Sequence, residues 1–159
     1  MNELDKVLTK GLVAGYAGGI KAQSVARGPS FTVKQIQVPL ETGEAYIDEW
    51  TSGGGQEIAE KDGKKVTRVH AGRPIPQEQL DMLGITKEGV VDYLIRKNVE
   101  LAGKTRLGEK CLPEPDGDWQ YEYQILDTVP EIGLRIGLES IHYKGSLVFA
   151  HGFLQSPIE

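Results

Sequence analysis

Two segments of the chain share one spacing of glycine, glutamate and histidine residues. Gly55-Gln56-Glu57 is followed by Gly63 and then by His70-Ala71-Gly72, and Gly137-Leu138-Glu139 is followed by Gly145 and then by His151-Gly152. Glycines at these positions mark tight turns between strands, so the spacing predicts two related β-hairpins. It favours a tandem duplication of a helix-plus-three-strand unit. The alternative is that two unrelated hairpins share glycine turns.

The first hairpin has the stronger local signal. Asp62-Gly63 lies between two runs suited to β-strands, 56–61 and 64–71, and Asp-Gly is a preferred two-residue hairpin turn. A preceding strand is expected over 44–51, and another β segment begins near Pro29. The second hairpin has Lys144-Gly145 as its turn, with strands expected over 118–127, 132–143 and 146–154.

Helical periodicity occurs in three places. Residues 3–16, 77–83 and 87–101 carry apolar residues at helical spacing, and a connecting loop is expected over 102–118. In the third helix we expect Val91, Leu94 and Ile95 to be nearly fully buried. The resulting order is helix, three strands, helices, three strands. We therefore predict an α+β fold in which two helix-plus-antiparallel-hairpin repeats, about 1–75 and 76–159, form a curved antiparallel sheet packed against helices.

The same residues resemble a known family. The pattern includes Tyr46-x-Asp48, Gly55-Gln56-Glu57, Asp116-Gly117-Asp118-Trp119-x-Tyr121, Gly137-x-Glu139-x-Ile141 and His151-Gly152. It is similar to the bacterial and archaeal domain-of-unknown-function 5680 family, and the resemblance covers nearly the whole chain. No activity is implied by this resemblance. Some members of that family are similar domains behind a helix-turn-helix segment, which implies a sensing role.

Length and charge exclude several classes of protein. The chain has 159 residues, 39% hydrophobic and 26% charged, and is expected to form a single domain over 1–159. Its net charge of -5 lies entirely in 105–159, and no cluster of Lys and Arg is present. Nucleic acid is therefore not an expected partner. No apolar run approaches a membrane span. The single Cys111 and the absence of an apolar signal core in 1–10 indicate the cytoplasm.

Glu57, Arg68 and His70 form the first candidate cluster. Counting outward from Asp62-Gly63 places Glu57 opposite Arg68, with His70 diagonal to it on the same face. One interpretation is an acid/base or anion-recognition group. The other is a cross-strand ion pair on a solvated face of the sheet.

Glu139 is the second candidate. Counting from Lys144-Gly145 places Glu139 opposite Ala150 among apolar residues and places His151 on the other face. A lone carboxylate on an apolar face is costly, which indicates either a ligand or catalytic role or a buried pair, for which Arg135 is a candidate. Trp119 and Tyr121 are further candidates for lining a pocket between the halves.

These residues leave three function classes open. A small-molecule-binding or sensory module is favoured, because neither hairpin combines a nucleophile, a base and an orienting group. The first alternative is a hydrolase or isomerase that uses Glu57 or Glu139 with a histidine. The second is an acidic protein-binding partner, such as an inhibitor or immunity protein, which fits the charge of 105–159. We expect no metal and no cofactor, since the histidines lack close-spaced ligand partners.

Overall fold

In the part of the chain that the structure describes, eight antiparallel strands form one continuous open sheet, accompanied by three α-helices and a short 3-10 helix (Pro130–Ile132). A computed structural model of the protein describes residues 3–102, 104, 106 and 110–158. The helices are α1 (Glu3–Ala14), α2 (Gln77–Leu83) and α3 (Lys87–Glu100). The strands are β1 (Gln23–Gly28), β2 (Phe31–Val38), β3 (Glu44–Thr51), β4 (Gly54–Lys61), β5 (Lys64–Pro74), β6 (Trp119–Val129), β7 (Leu134–Tyr143) and β8 (Ser146–Ile158). The predicted α+β class and antiparallel sheet are thus confirmed.

Neighbouring strands follow the order β1-β2-β3-β4-β5-β8-β7-β6. Two meanders therefore meet in the middle of the sheet, where β5 pairs with β8 and His70 lies opposite Phe153. Five strands precede α2, so the predicted order of three strands before the helices is wrong. Of the two additional strands, β2 corresponds to the β segment expected near Pro29, and β1 is exposed along nearly its whole length. It therefore lacks the apolar alternation by which a strand is recognised in a sequence.

Helix α1 lies against β3 and β4. Its buried residues include Val7, Leu8 and Leu12, at the spacing of one helical face. Gly11 permits a close approach, because a Cβ atom there would lie 2.1 Å from Cγ of Tyr46. The apolar core under α1 also contains Ile36, Val38, Ala59 and Val66.

The helices α2 and α3 cover the other half of the sheet. Helix α3 begins after Thr86, whose Oγ1 accepts a hydrogen bond of 3.1 Å from the Gly89 amide. The core beneath these helices contains Leu80, Val90, Leu94, Tyr121, Ile141, Val148, Phe149 and Phe153. Two apolar cores therefore lie on one face of the sheet.

The buried face of α3 differs from the prediction. Leu94 is buried as expected, but Val91 and Ile95 are only half-buried. The buried face instead includes Lys97 and Asn98. Asn98 is turned inward because it contacts the charged groups described below. Buried polar groups need hydrogen-bond partners, so the buried face of α3 differs from the purely apolar stripe. The predicted loop 102–118 includes 103, 105 and 107–109, which lie outside the described residues.

Candidate functional site

Glu57 lies in a buried ion pair on the inner face of β4. Its carboxylate is 1% exposed and accepts hydrogen bonds from Nη2 of Arg68 at 2.8 Å, from Nε of Arg68, and from the hydroxyl of Tyr46 at 2.7 Å. The predicted register, Glu57 opposite Arg68, is confirmed. The interpretation as a pair on a solvated face is wrong. Helix α1 covers this part of the sheet and removes it from solvent.

A second buried ion pair surrounds Glu139 on β7. Nη2 of Arg106 donates to Oε2 of Glu139 at 2.8 Å, Nε of Arg106 donates to Oε1 at 3.2 Å, and the hydroxyl of Tyr121 donates to Oε1 at 2.6 Å. The Asn98 amide, oriented to satisfy both neighbours, donates to Oε1 at 3.3 Å and accepts from Arg106. Four groups therefore meet a carboxylate that is fully buried.

Arg106 connects the two pairs. Nη1 of Arg68 donates to the backbone carbonyl oxygen of Arg106 at 3.0 Å, while the Arg106 side chain binds Glu139. Arg106 has a positive φ of 60°. This position falls in the predicted loop 102–118. Arg135, the candidate partner of Glu139, instead binds Asp5 of α1 at 2.6 Å. No local pattern distinguishes Arg106, because its partners are distant in sequence.

A β-bulge brings His151 to the same face as Glu139. The register between β7 and β8 shifts between Ile141 and His142, so that Val148 is an extra residue in β8. Glu139 consequently lies opposite His151 rather than Ala150, and the predicted separation of the two side chains is wrong. The prediction assumed a regular ladder, in which one residue of slip reverses the face of every later side chain.

His70 and His151 lie in a row with two carboxylates, those of Asp48 and Glu139. Nδ1 of His70 is 2.9 Å from Nε2 of His151. At one end of the row, Nδ1 of His151 is 3.5 Å from Oε2 of Glu139. At the other end, Nε2 of His70 is 3.7 Å from Oδ1 of Asp48, which is too long for a hydrogen bond. The row Asp48, His70, His151, Glu139 is called the histidine row below.

The buried carboxylates differ in how strongly their surroundings favour the ionised form. Burial opposes ionisation of Glu57 and Glu139, but Arg68 and Arg106 respectively more than offset it and lower the pKa of each glutamate to about 2. Burial raises the pKa of Asp48. Burial also lowers the pKa of His151, which favours its neutral form at pH 7. Asp48 is therefore the carboxylate whose ionised form is least stabilised by its surroundings.

The histidine row borders a cavity of about 180 Å³ between α1, α3 and the sheet. One wall is aromatic and apolar: Leu12, Tyr16, Trp50, Val91, Leu94 and Phe149. The polar lining includes Asp48, Glu57, His70, Arg106 and His151. A pocket that combines an apolar wall with a few polar groups suits a small organic molecule.

The sequence candidates separate into two groups. Glu57, Arg68, His70, Glu139, His151 and Tyr121 belong to one connected buried network. Trp119 does not line the cavity. Its ring stacks on Tyr93 at 4.9 Å between centroids and contacts Tyr143 at 4.7 Å. Asp48 and Arg106 are site residues that the sequence patterns do not predict. Asp48 pairs with Glu57 across β3 and β4, and this pairing is the signal that could have placed Asp48 on the same face of the sheet as Glu57.

Within the described residues, no three His, Cys, Asp or Glu side chains are grouped so that they could hold a metal ion. None of the described helices combines the length and apolar character that crossing a membrane requires. No family model matches the chain, and no curated protein or solved structure is significantly similar to it.

Proposed function

We propose that the chain is a small-molecule-binding module whose ligand occupies the cavity between α1, α3 and the sheet. Each of the two ion pairs, Glu57–Arg68 and Glu139–Arg106, contributes one side chain to the lining, Glu57 and Arg106 respectively. The aromatic and apolar wall supplies surface for a ligand body. Because these polar and apolar groups are already held in place before a ligand binds, less conformational entropy is lost on binding.

One observation carries the proposal. Oδ1 of Asp48 is buried without a hydrogen-bond partner among the described residues, on a side chain that lines the cavity. An unsatisfied buried acceptor costs about 1–3 kcal/mol, and a donor group of a bound molecule would remove that cost. The buried polar groups of the two ion pairs are satisfied by their neighbours. Nδ1 of His151 is another cavity-lining atom without a hydrogen bond among the described residues, but it lies 3.5 Å from Oε2 of Glu139. Asp48 is therefore the acceptor at which a ligand gains most.

A matched pair of valines on α3 provides the test. Val91 lines the cavity, whereas Val99 of the same helix is 45% exposed and does not line it. A library of metabolites and nucleotides is screened by thermal shift against wild type, Val91→Phe and Val99→Phe. We expect a ligand present at about 100 times its Kd to raise the Tm of wild type and Val99→Phe by several degrees, and to leave Val91→Phe unchanged. If no compound shifts the wild type, or if Val91→Phe responds equally, the proposal fails.

The histidine row favours a second candidate function, acid–base catalysis by a hydrolase or isomerase. His70 and His151 both line the cavity, with Nδ1 of His70 2.9 Å from Nε2 of His151, and carboxylates lie at both ends of the row. Such an arrangement can hold or accept a proton at the Nε2 atom of His70. A compound from the screen that is converted by wild type and not by His70→Gln would favour this candidate over binding alone.

We also infer that the meanders β3–β5 and β6–β8 are copies of one unit, in line with the family resemblance. In each meander a tyrosine donates to the glutamate of the next strand, Tyr46 to Glu57 and Tyr121 to Glu139. In each, the tyrosine lies two residues before the residue paired with that glutamate, Asp48 or Tyr123. Superposing residues 40–72 on 121–152 tests the inference: Glu57 should coincide with Glu139, and the two hairpin turns should coincide as well.

A further inference from the structure

We propose that the cavity selects small cationic nitrogen ligands, namely a primary ammonium or amidinium group on an apolar or aromatic body, with the cation held by Oδ1 of Asp48 and Nε2 of His70. This inference rests on the proposed binding function and specifies its ligand class.

The buried charges are paired unequally. Arg68 is bound to Glu57, and Arg106 is bound to Glu139. Asp48 has no lysine or arginine within ion-pair distance among the described residues, and its nearest basic atom is Nε2 of His70 at 3.7 Å. A carboxylate that is 6% exposed and lacks a cation is expensive to keep ionised. The cavity beside it is the direction from which a compensating cation can come.

With both imidazoles in the neutral form, the histidine row has one hydrogen fewer than its contacts need, and the contact without a hydrogen lies at the Asp48 end. The row has three contacts between neighbouring side chains, and each needs one hydrogen to become a hydrogen bond. They join Asp48 to His70, His70 to His151, and His151 to Glu139. An imidazole in its neutral form supplies one hydrogen, so two rings in that form supply two. Glu139 is ionised, so the favoured tautomers direct Nδ1–H of His151 toward Glu139 and Nδ1–H of His70 toward Nε2 of His151.

This arrangement leaves two acceptors facing each other without a hydrogen between them. They are Oδ1 of Asp48 and Nε2 of His70, 3.7 Å apart at the cavity end of the row. An ammonium group has three donors and an amidinium has four, so either can donate to both acceptors at once. A hydroxyl has one donor, and a carboxylate has none. Burial raises the pKa of Asp48, and a bound cation would favour its ionised form.

The wall of the cavity suits the rest of such a ligand. Tyr16 and Trp50 meet edge to face, with ring centroids 5.9 Å apart, and Phe149 lines the same cavity. Aromatic faces attract organic cations and pack against apolar bodies. The volume of about 180 Å³ limits the ligand to a small molecule.

Three probes of similar shape and different charge test the ligand class. Benzylamine is cationic, benzyl alcohol is neutral, and benzoate is anionic at pH 7. Binding of each to the full chain is measured by isothermal titration calorimetry and by protein-observed NMR. We expect benzylamine to bind at least tenfold more tightly than benzyl alcohol, and benzoate to bind more weakly than either. This comparison uses the wild type and does not depend on the folding of any variant.

Two charge-matched variants locate the cation. Asp48→Asn removes the carboxylate in the cavity, and Asp81→Asn removes an exposed carboxylate on α2. We expect benzylamine binding to weaken at least tenfold in Asp48→Asn and to stay unchanged in Asp81→Asn. Equal loss in both, or no loss in Asp48→Asn, would overturn the assignment.

The remaining outcomes separate the ligand class from the binding function. If benzyl alcohol or benzoate binds as tightly as benzylamine, and Val91→Phe blocks that binding, then the cation class is wrong and the binding function stands. If benzylamine, benzyl alcohol and benzoate all fail to bind and no library compound shifts the wild type, both proposals are overturned.

Discussion

Nη1 of Arg68 donates a hydrogen bond of 3.0 Å to the backbone carbonyl oxygen of Arg106. Through this bond the ion pair of Glu57 with Arg68 is joined to the ion pair of Glu139 with Arg106. Three strands, β4 and β5 of one meander and β7 of the other, and one connecting segment thus depend on one polar network. Buried networks of this kind are specific when every member is satisfied, and costly when one is removed.

Removing the Arg106 side chain should destabilise the protein strongly. We expect Arg106→Ala to lower the free energy of unfolding by about 3–5 kcal/mol, because Glu139 would remain buried without its cation. Urea denaturation followed by circular dichroism measures the change. The double variant Arg106→Met with Glu139→Gln should recover much of the loss, since it removes both charges. A double variant no more stable than Arg106→Ala would show that the pairing is not the source of the cost.

The sequence predicts local structure here better than it predicts the site. Asp62-Gly63 determines a regular hairpin, and the register that follows from it, Glu57 opposite Arg68, is correct. The second hairpin begins equally well at Lys144-Gly145. The predicted register of its two strands is wrong beyond Val148, because no glycine or proline in the sequence marks the β-bulge there.

Tertiary contacts determine the rest of the site. Arg106 lies in a segment with no helical or strand periodicity, and its partners, Glu139 and Arg68, come from two different strands. Asp48 is on the inner face because it pairs with Glu57 across β3 and β4, and its lack of a partner depends on the distance to His70. Such relationships need coordinates, since each depends on three elements at once.

The contact between α1 and Tyr46 gives a test of packing. We expect Gly11→Ala to be destabilising by about 1–3 kcal/mol despite the better helix propensity of alanine, because the new Cβ would lie 2.1 Å from Cγ of the Tyr46 ring. The ring cannot shift freely, since its hydroxyl is bound to Glu57.

Gly89 of α3 is the matched control for Gly11. A Cβ there would have Thr86 Oγ1 as its nearest neighbour, at an ordinary 3.5 Å, so Gly89→Ala should stabilise the protein by about 0.5–1 kcal/mol. Both variants are compared by urea denaturation. Equal effects of the two substitutions would contradict the packing argument.

Acid should destabilise the protein through the buried carboxylates. In the folded state the pKa of both Glu57 and Glu139 is about 2, against an ordinary value of 4.5. Between these values the unfolded chain binds more protons than the folded protein, so stability decreases as the pH falls from about 5 toward 2. Urea denaturation at a series of pH values measures this slope.

The double variant Arg106→Met with Glu139→Gln is the control for the acid effect. It lacks one of the two depressed carboxyl groups, so its stability should depend less steeply on pH over the same range. An unchanged slope would mean that Glu139 does not contribute to acid unfolding.

The two tryptophans should report ligand binding differently. Trp50 lines the cavity, and Trp119 is packed on Tyr93 outside it. Benzylamine should therefore change the fluorescence of Trp119→Phe, in which Trp50 is the remaining indole, and should leave the fluorescence of Trp50→Phe nearly constant. Calorimetry on both variants separates loss of the signal from loss of binding: we expect the affinity of Trp119→Phe to equal that of wild type. A fluorescence response that survives in Trp50→Phe and vanishes in Trp119→Phe would place the ligand at Trp119 and away from Asp48.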